Sequence, residues 1–269
     1  MTTTGAFSEA RVPEHLFDPR TQLRYIVWHD DPPLERLIRH AIDTVSPCAF
    51  IETGSHMGWT SMWVCRNYPA LSVETVEVDP GFYEKARENL EQFPNARIVR
   101  GDSRDFVKDI VYDQLRDLEA VSPSVAGVPM FWLDAHWWPP VPLKDECAEV
   151  AKLPRYVCFI DDFSCWRPDF SGDTFFSIAP SSGDAYLNDI SYVAAQMGTS
   201  YYRPIWEPRS GSKGVGLFIK GVDYVPPADL MVRESIDTFI ELRAAAVEAR
   251  KNEPGFVVYP LHPSSGRSA

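Results

Sequence analysis

A chain of 269 residues, 45% hydrophobic and 13% aromatic, is long enough to bury one large α/β core, alone or with appended segments. A net charge of -12 with no Lys/Arg cluster leaves out the basic face that nucleic-acid binding needs, and no apolar stretch is long enough to span a bilayer. Five cysteines without paired spacing point away from a disulfide framework, and residues 1–10 lack the apolar region of a signal peptide, so a soluble cytoplasmic protein is expected.

In chain order, residues 1–20 read as irregular, and residues 23–28 as a short helix or lid segment. Pro32-Pro33 opens a helix that places Leu34, Leu37, Ile38 and Ile42 on one face, and Ser46-Pro47 ends it. A first strand follows over 49–52, then a glycine turn and a helix through Met62 and Val64. The β-branched run after Val73 is a second strand, broken by Pro80, and an amphipathic helix runs on to about Phe93. Residues 96–100 form a third strand and 106–118 a helix; 130–133 form a fourth strand and 143–152 a helix; 156–160 form a fifth strand. A long Asp/Ser/Phe/Pro segment at 164–182 breaks this rhythm, and loops of that length in a compact domain are often functional. A helix is expected over 186–197, strands over 201–206 and 215–220 joined as a hairpin, and a last helix over 230–251.

Short apolar strands alternating with helices imply a parallel sheet covered on both faces. Each strand ends in an acid or a Gly-acid turn, and ligands of open α/β sheets bind beyond the carboxyl ends of the strands. Glu52, Glu77, Asp102, Asp134, Asp161 and Asp162 should therefore gather at one rim.

The first strand and its turn read Glu52-Thr53-Gly54-Ser55-His56-Met57-Gly58-Trp59-Thr60. A strand, a Gly-rich turn and a helix start make an anion-binding device if the turn amides and the free helix N–H groups point outwards. Glu-x-Gly-x-x-x-Gly is not the spacing of a dinucleotide pyrophosphate loop. It resembles motif I of the class I S-adenosylmethionine (SAM) methyltransferases. That resemblance implies a cofactor loop formed by Glu52, Gly54, Ser55 and Gly58, with Thr60 in the place of the hydroxyl that binds the cofactor carboxylate. Glu77, at the end of the second strand, resembles the acid that accepts both ribose hydroxyls, and Asp79-Pro80 suits a helix cap. In the same family the turn Asp102-Ser103 would lie by the adenine; both residues are also good N-caps.

Asp134 with Asp161-Asp162 is the sharpest cluster. Three carboxylates at adjacent strand ends repel one another unless a cation sits between them, and Mg²⁺ suits a partly hydrated site of few carboxylates. The arrangement resembles the metal-dependent catechol-type and macrocin-type O-methyltransferases, which implies a metal held by Asp134, Asp161 and Asp162, with Asp134 also at the cofactor and the reacting centre. His136 is the candidate base, where catechol-type enzymes use a lysine; here no lysine is nearer than Lys144. Its alternative is a packed supporting role. Trp137, Trp138 and Trp166 suit the faces of aromatic or sugar rings, or equally a contact between copies in a homo-oligomer.

The resemblance implies a doubly wound, mostly parallel seven-stranded Rossmann-like methyltransferase sheet with a C-terminal antiparallel hairpin. The expected organisation is an N-terminal helical or lid segment over 1–45, a core over 46–222 with the insertion at 164–182, and a C-terminal helix and tail over 223–269. The expected activity is SAM-dependent, Mg-assisted O-methylation of a small hydroxylated molecule. The alternatives are a metal-independent methyltransferase using His136, or a non-catalytic SAM or nucleotide binder.

Overall fold

The computed structural model describes residues 27–28, 31–120, 127–135, 142–161, 163, 193, 196–198, 200–206, 214–235, 237, 238, 241, 245 and 248; of α4, side chains are described only up to residue 113. The expected helix over 186–197 and the segment at 164–182 lie largely outside these residues.

Helix α1 spans Pro32–Val45, with Leu34, Leu37, Ile38, Ala41 and Ile42 buried on one face. The proline pair fits its first turn, where N–H groups have no helical partner. It ends at Ser46, whose φ of 50° is left-handed and whose N–H caps Ile42. Strand β1 (Ala49–Thr53) leads into α2 (Trp59–Asn67), β2 (Ser72–Glu77), α3 (Pro80–Leu90), β3 (Ala96–Arg100) and α4 (Ser103–Ala120). Then come β4 (Pro129–Leu133), α5 (Leu143–Val150), β5 (Tyr156–Asp161), β6 (Ser200–Pro204), β7 (Val215–Lys220) and β8 (Met231–Ser235).

The strands form one sheet in the order β3-β2-β1-β4-β5-β7-β6-β8. The first five are parallel, and β7, β6 and β8 join antiparallel. β1, β4 and β5 are buried along their whole length, as expected of parallel strands covered on both faces. Successive β1 residues serve opposite cores. Phe50 packs with Trp28, Trp63 and Trp132 on one side, and Ile51 with Phe106, Val107, Leu143 and Cys147 on the other.

The register sets the strand ends level: Thr53 faces Val76 on one side and Leu133 on the other, and Leu133 faces Ile160. The expected rim of acids therefore exists for Glu52, Glu77, Asp102, Asp134 and Asp161, while Asp162 is outside the described residues. The chain order reverses between β1 and β4, which is where a crevice opens in sheets of this kind.

Two expectations need correction. The sheet has eight strands, not seven, and the segment expected to be helical from Leu230 opens as a strand. Met231 and Glu234 of β8 are buried, and Glu234 takes Arg203 as an ion-pair partner and the Tyr201 hydroxyl at 3.1 Å, both from β6. A carboxylate with two partners on the neighbouring strand outweighs the local helix preference of Arg and Glu. Residues 237, 238, 241, 245 and 248, further along, are helical. No helix among the described residues is long and apolar enough to cross a membrane.

Candidate functional site

The turn after β1 runs through three left-handed residues: Gly54 (φ 78°), His56 (φ 50°) and Gly58 (φ 75°). Gly54 has a second reason to be glycine. A Cβ there would lie 2.8 Å from the Asp134 carbonyl oxygen and 3.0 Å from the Ala135 Cα, so the turn passes directly against the end of β4. A Cβ on Gly58 would meet Ala86 of α3 at 3.1–3.2 Å. The close approach at the second glycine is therefore one between the turn and a helix of the same chain.

The turn amides are also used differently from the outward-facing cradle that the spacing suggests. Gly54 and Ser55 both donate to the Val76 carbonyl, at 3.1 and 3.0 Å, and Gly58 donates to Ser55 at 2.6 Å. His56 N–H donates to Glu77 Oε2 at 2.7 Å, and Asp79 N–H to Glu77 Oε1 at 2.9 Å. Glu77, nearly buried, thus ties the turn after β1 to the turn after β2. The first turn of α2, beginning at Trp59 with Thr60 next, has N–H groups that helix geometry leaves without intrahelical partners.

Glu52 lies beneath this turn, 1% exposed. Its Oε2 accepts from Ser61 at 2.6 Å and from Thr75 at 2.8 Å, and Thr75 is also 2.9 Å from the Ser55 hydroxyl. Burial pushes Glu52 up to about 7, against the pull of the Ser61, Thr75 and Thr60 hydroxyls. Its carboxylate therefore braces the turn from below.

The turn after β3 is capped from within. Asp102 accepts from the Arg104 N–H and Nε, both at 2.9 Å, and from Nη2 at 2.5 Å. The Arg104 guanidinium holds the Asp102 carboxyl below its usual range. The cap alternative for Asp102 is thus what the geometry displays. Ser103, also named for the adenine, is buried at the start of α4. Asp79 likewise takes the cap role, accepting from Gly81 and Phe82 N–H at 2.8 and 3.0 Å.

Asp134 and Asp161 end the neighbouring strands β4 and β5. The Asp134 N–H donates to the Thr53 carbonyl at 3.1 Å and to its hydroxyl at 3.2 Å, so Asp134 is pinned to the end of β1. Asp161 is 4% exposed and pairs with Val215 of β7. Both offer oxygen donors of the kind a hard cation takes. Among the described residues no group of three or more His, Cys, Asp and Glu side chains is placed to hold a metal ion. Asp162 and His136, together with Trp137, Trp138 and Trp166, lie outside the described residues.

Two features of the site were missed in the sequence. The His56 ring packs on Phe82, with centroids 4.1 Å apart, where the two turns meet. Glu146 of α5 is 1% exposed beside Thr53 and Ser103. A signal for Glu146 was present: it falls at helical spacing among Leu143, Cys147 and Val150, an acid on an otherwise apolar face.

Neither a protein-family model nor a curated protein sequence matches the chain at a significant level. Solved structures do match. A protein from Staphylococcus aureus assigned as a caffeoyl-CoA O-methyltransferase superposes with a TM-score of 0.53 at 18% identity, covering 77% of this chain and 95% of that one. An O-methyltransferase from Bacillus cereus in complex with S-adenosylhomocysteine (SAH) gives 0.50 at 14% identity, covering 79% and 94%. At such identities the likeness is one of architecture, and the architecture of this chain is the Rossmann-like methyltransferase fold.

Proposed function

We propose that the chain is a SAM-dependent O-methyltransferase acting on a hydroxyl of a small molecule, with magnesium assisting. One observation carries the cofactor part. The Gly54 turn seats against β4 at the switch between β1 and β4, while Glu77 at the end of β2 fixes that turn through the His56 amide. Each Glu77 oxygen accepts one amide N–H and keeps a second lone pair, which leaves acceptor capacity for the two ribose hydroxyls. The fold likeness to a protein bound to SAH supports the same reading.

The cofactor would supply a methyl group on a good leaving group, so the chain's share is positioning and deprotonation. Asp134 and Asp161, with Asp162, would hold the magnesium, which would make a chelating substrate hydroxyl more acidic. His136 would take the hydroxyl proton. Substrates with two adjacent oxygens, on an aromatic ring or on a sugar or polyketide, fit a site that binds through a metal.

Calorimetry with SAH tests the cofactor site. Glu77→Ala is expected to weaken binding by about 1.5–3 kcal/mol, the range for hydrogen bonds to a charged group. Asp79→Ala is expected to leave affinity nearly unchanged and to lower stability by about 1 kcal/mol, because it removes a helix N-cap. The opposite pattern would move the ribose contact to Asp79.

A further inference from the structure

Glu146 is an acid in a place that does not suit a charge. Neither of its carboxyl oxygens makes a hydrogen bond among the described residues, although the side chain is 1% exposed. The Ser103 and Thr53 hydroxyls stand near enough to act on it without reaching hydrogen-bond geometry. Around it are Thr53 of β1, Asp102 and Ser103 at the head of α4, Asp145 on its own helix, and Cys158 of β5. Among the described residues, the charges that act most on it, Asp102 and Asp145, are both negative. Arg104, the cation in this corner, is joined to Asp102 and lies 3.9 Å from Asp145. A carboxylate so enclosed would be buried without a counter-charge, which a protein avoids by keeping the proton on.

The position gives that proton a consequence. Thr53 is the last residue of β1, and its carbonyl and hydroxyl both accept the Asp134 amide. Ser103 opens α4 directly after the Asp102 turn. Glu146 therefore lies beside the end of β1 and the start of α4, on the face of β1 opposite Glu52.

We propose that Glu146 is a positioning residue of the cofactor cleft, held as a neutral carboxylic acid between the end of β1 and the start of α4, so that loss of its proton loosens the site. This rests on the reading of that cleft as the SAM site. Burial raises the group from 4.5 to about 7, so the change falls near neutral pH. The sign follows from linkage. An acid raised in the folded state stabilises it fully only below about 4.5, and that contribution is lost as pH rises to about 7.

The test measures SAH affinity by calorimetry, and ligand-free melting temperature, across this pH range in the parent and in Glu146→Gln, which mimics the neutral acid. The parent is expected to lose affinity about fivefold or more as pH rises through 7. Glu146→Gln should keep the low-pH affinity and show a smaller loss, since the other titratable groups of the site, Glu52 and His56, are still present. An unchanged pH dependence in the variant overturns the proposal, as does equal weakening at every pH. If Glu146→Gln does not fold, Ser103→Ala decides: removing a hydroxyl that favours the charged form should move the affinity loss to higher pH, and no movement overturns it. If the parent binds no SAH at any pH, the cofactor reading fails on its own. The ligand-free melting profile still judges Glu146, because Glu146→Gln must remove part of the fall in stability between about 4.5 and 7.

Discussion

Gly54→Ala is expected to abolish SAH binding and to destabilise the chain by about 2–4 kcal/mol. Two costs add. The backbone there has φ of 78°, which an L side chain adopts at a penalty of about 1–2 kcal/mol. The new methyl would also sit 2.8 Å from the Asp134 carbonyl oxygen, and its neighbours at 3.0 Å are backbone atoms as well, so no side chain can swing aside. Relief requires β1 and β4 to part at their carboxyl ends. That would break the Asp134 amide's bonds to Thr53 and pull the turn from the Val76 carbonyl. Gly58→Ala has a similar backbone cost, but its nearest contact is the Ala86 Cβ at 3.1 Å, so a small shift of α3 should absorb more of it. Denaturant unfolding and calorimetry on both variants check this order. A Gly54→Ala protein with parental affinity would separate the turn from the cofactor site altogether.

The central sheet was legible because its strands are buried on both faces and therefore read as short apolar runs closed by an acid. Phe50-Ile51-Glu52, Phe131-Trp132-Leu133-Asp134 and Phe159-Ile160-Asp161 need no distant partner to be recognised. β8 was not legible, since Met231–Ser235 becomes a strand through Arg203 and Tyr201, some thirty residues earlier in the chain. The glycines marked the turn correctly but not its neighbours: Gly58 meets Ala86 of a later helix, and only the folded backbone reveals that. The acids divide in the same way. Asp79 and Asp102 cap helices by local geometry that spacing anticipates. The dual grip of Glu77 on His56 and Asp79, and the enclosure of Glu146 by Thr53 and Ser103, join segments that are far apart in sequence.

Asp161→Asn is expected to lower methyl-transfer activity by about 10–100-fold or more, the loss seen when even supporting groups of a metal site are removed. Asparagine keeps the shape and one oxygen donor but removes the charge that attracts a hard cation. The residue closes β5 level with Asp134 on β4, because Leu133 and Ile160 are partners in the register. Its removal should therefore weaken the metal without disturbing Gly54 or Glu77, which belong to the turns after β1 and β2. SAH affinity should stay within about 0.5 kcal/mol of the parent, as for sites without shared partners. Added magnesium should restore part of the activity by mass action, and a chelator should lower the parent to the level of the variant. An active parent indifferent to chelator, with an equally active Asp161→Asn, would remove the metal from the mechanism and leave His136 to carry deprotonation alone. A variant that unfolds while its thermal stability falls in step with activity would mean something else. Asp161, 4% exposed where β5 meets β7, would then hold the sheet's antiparallel edge to its parallel half.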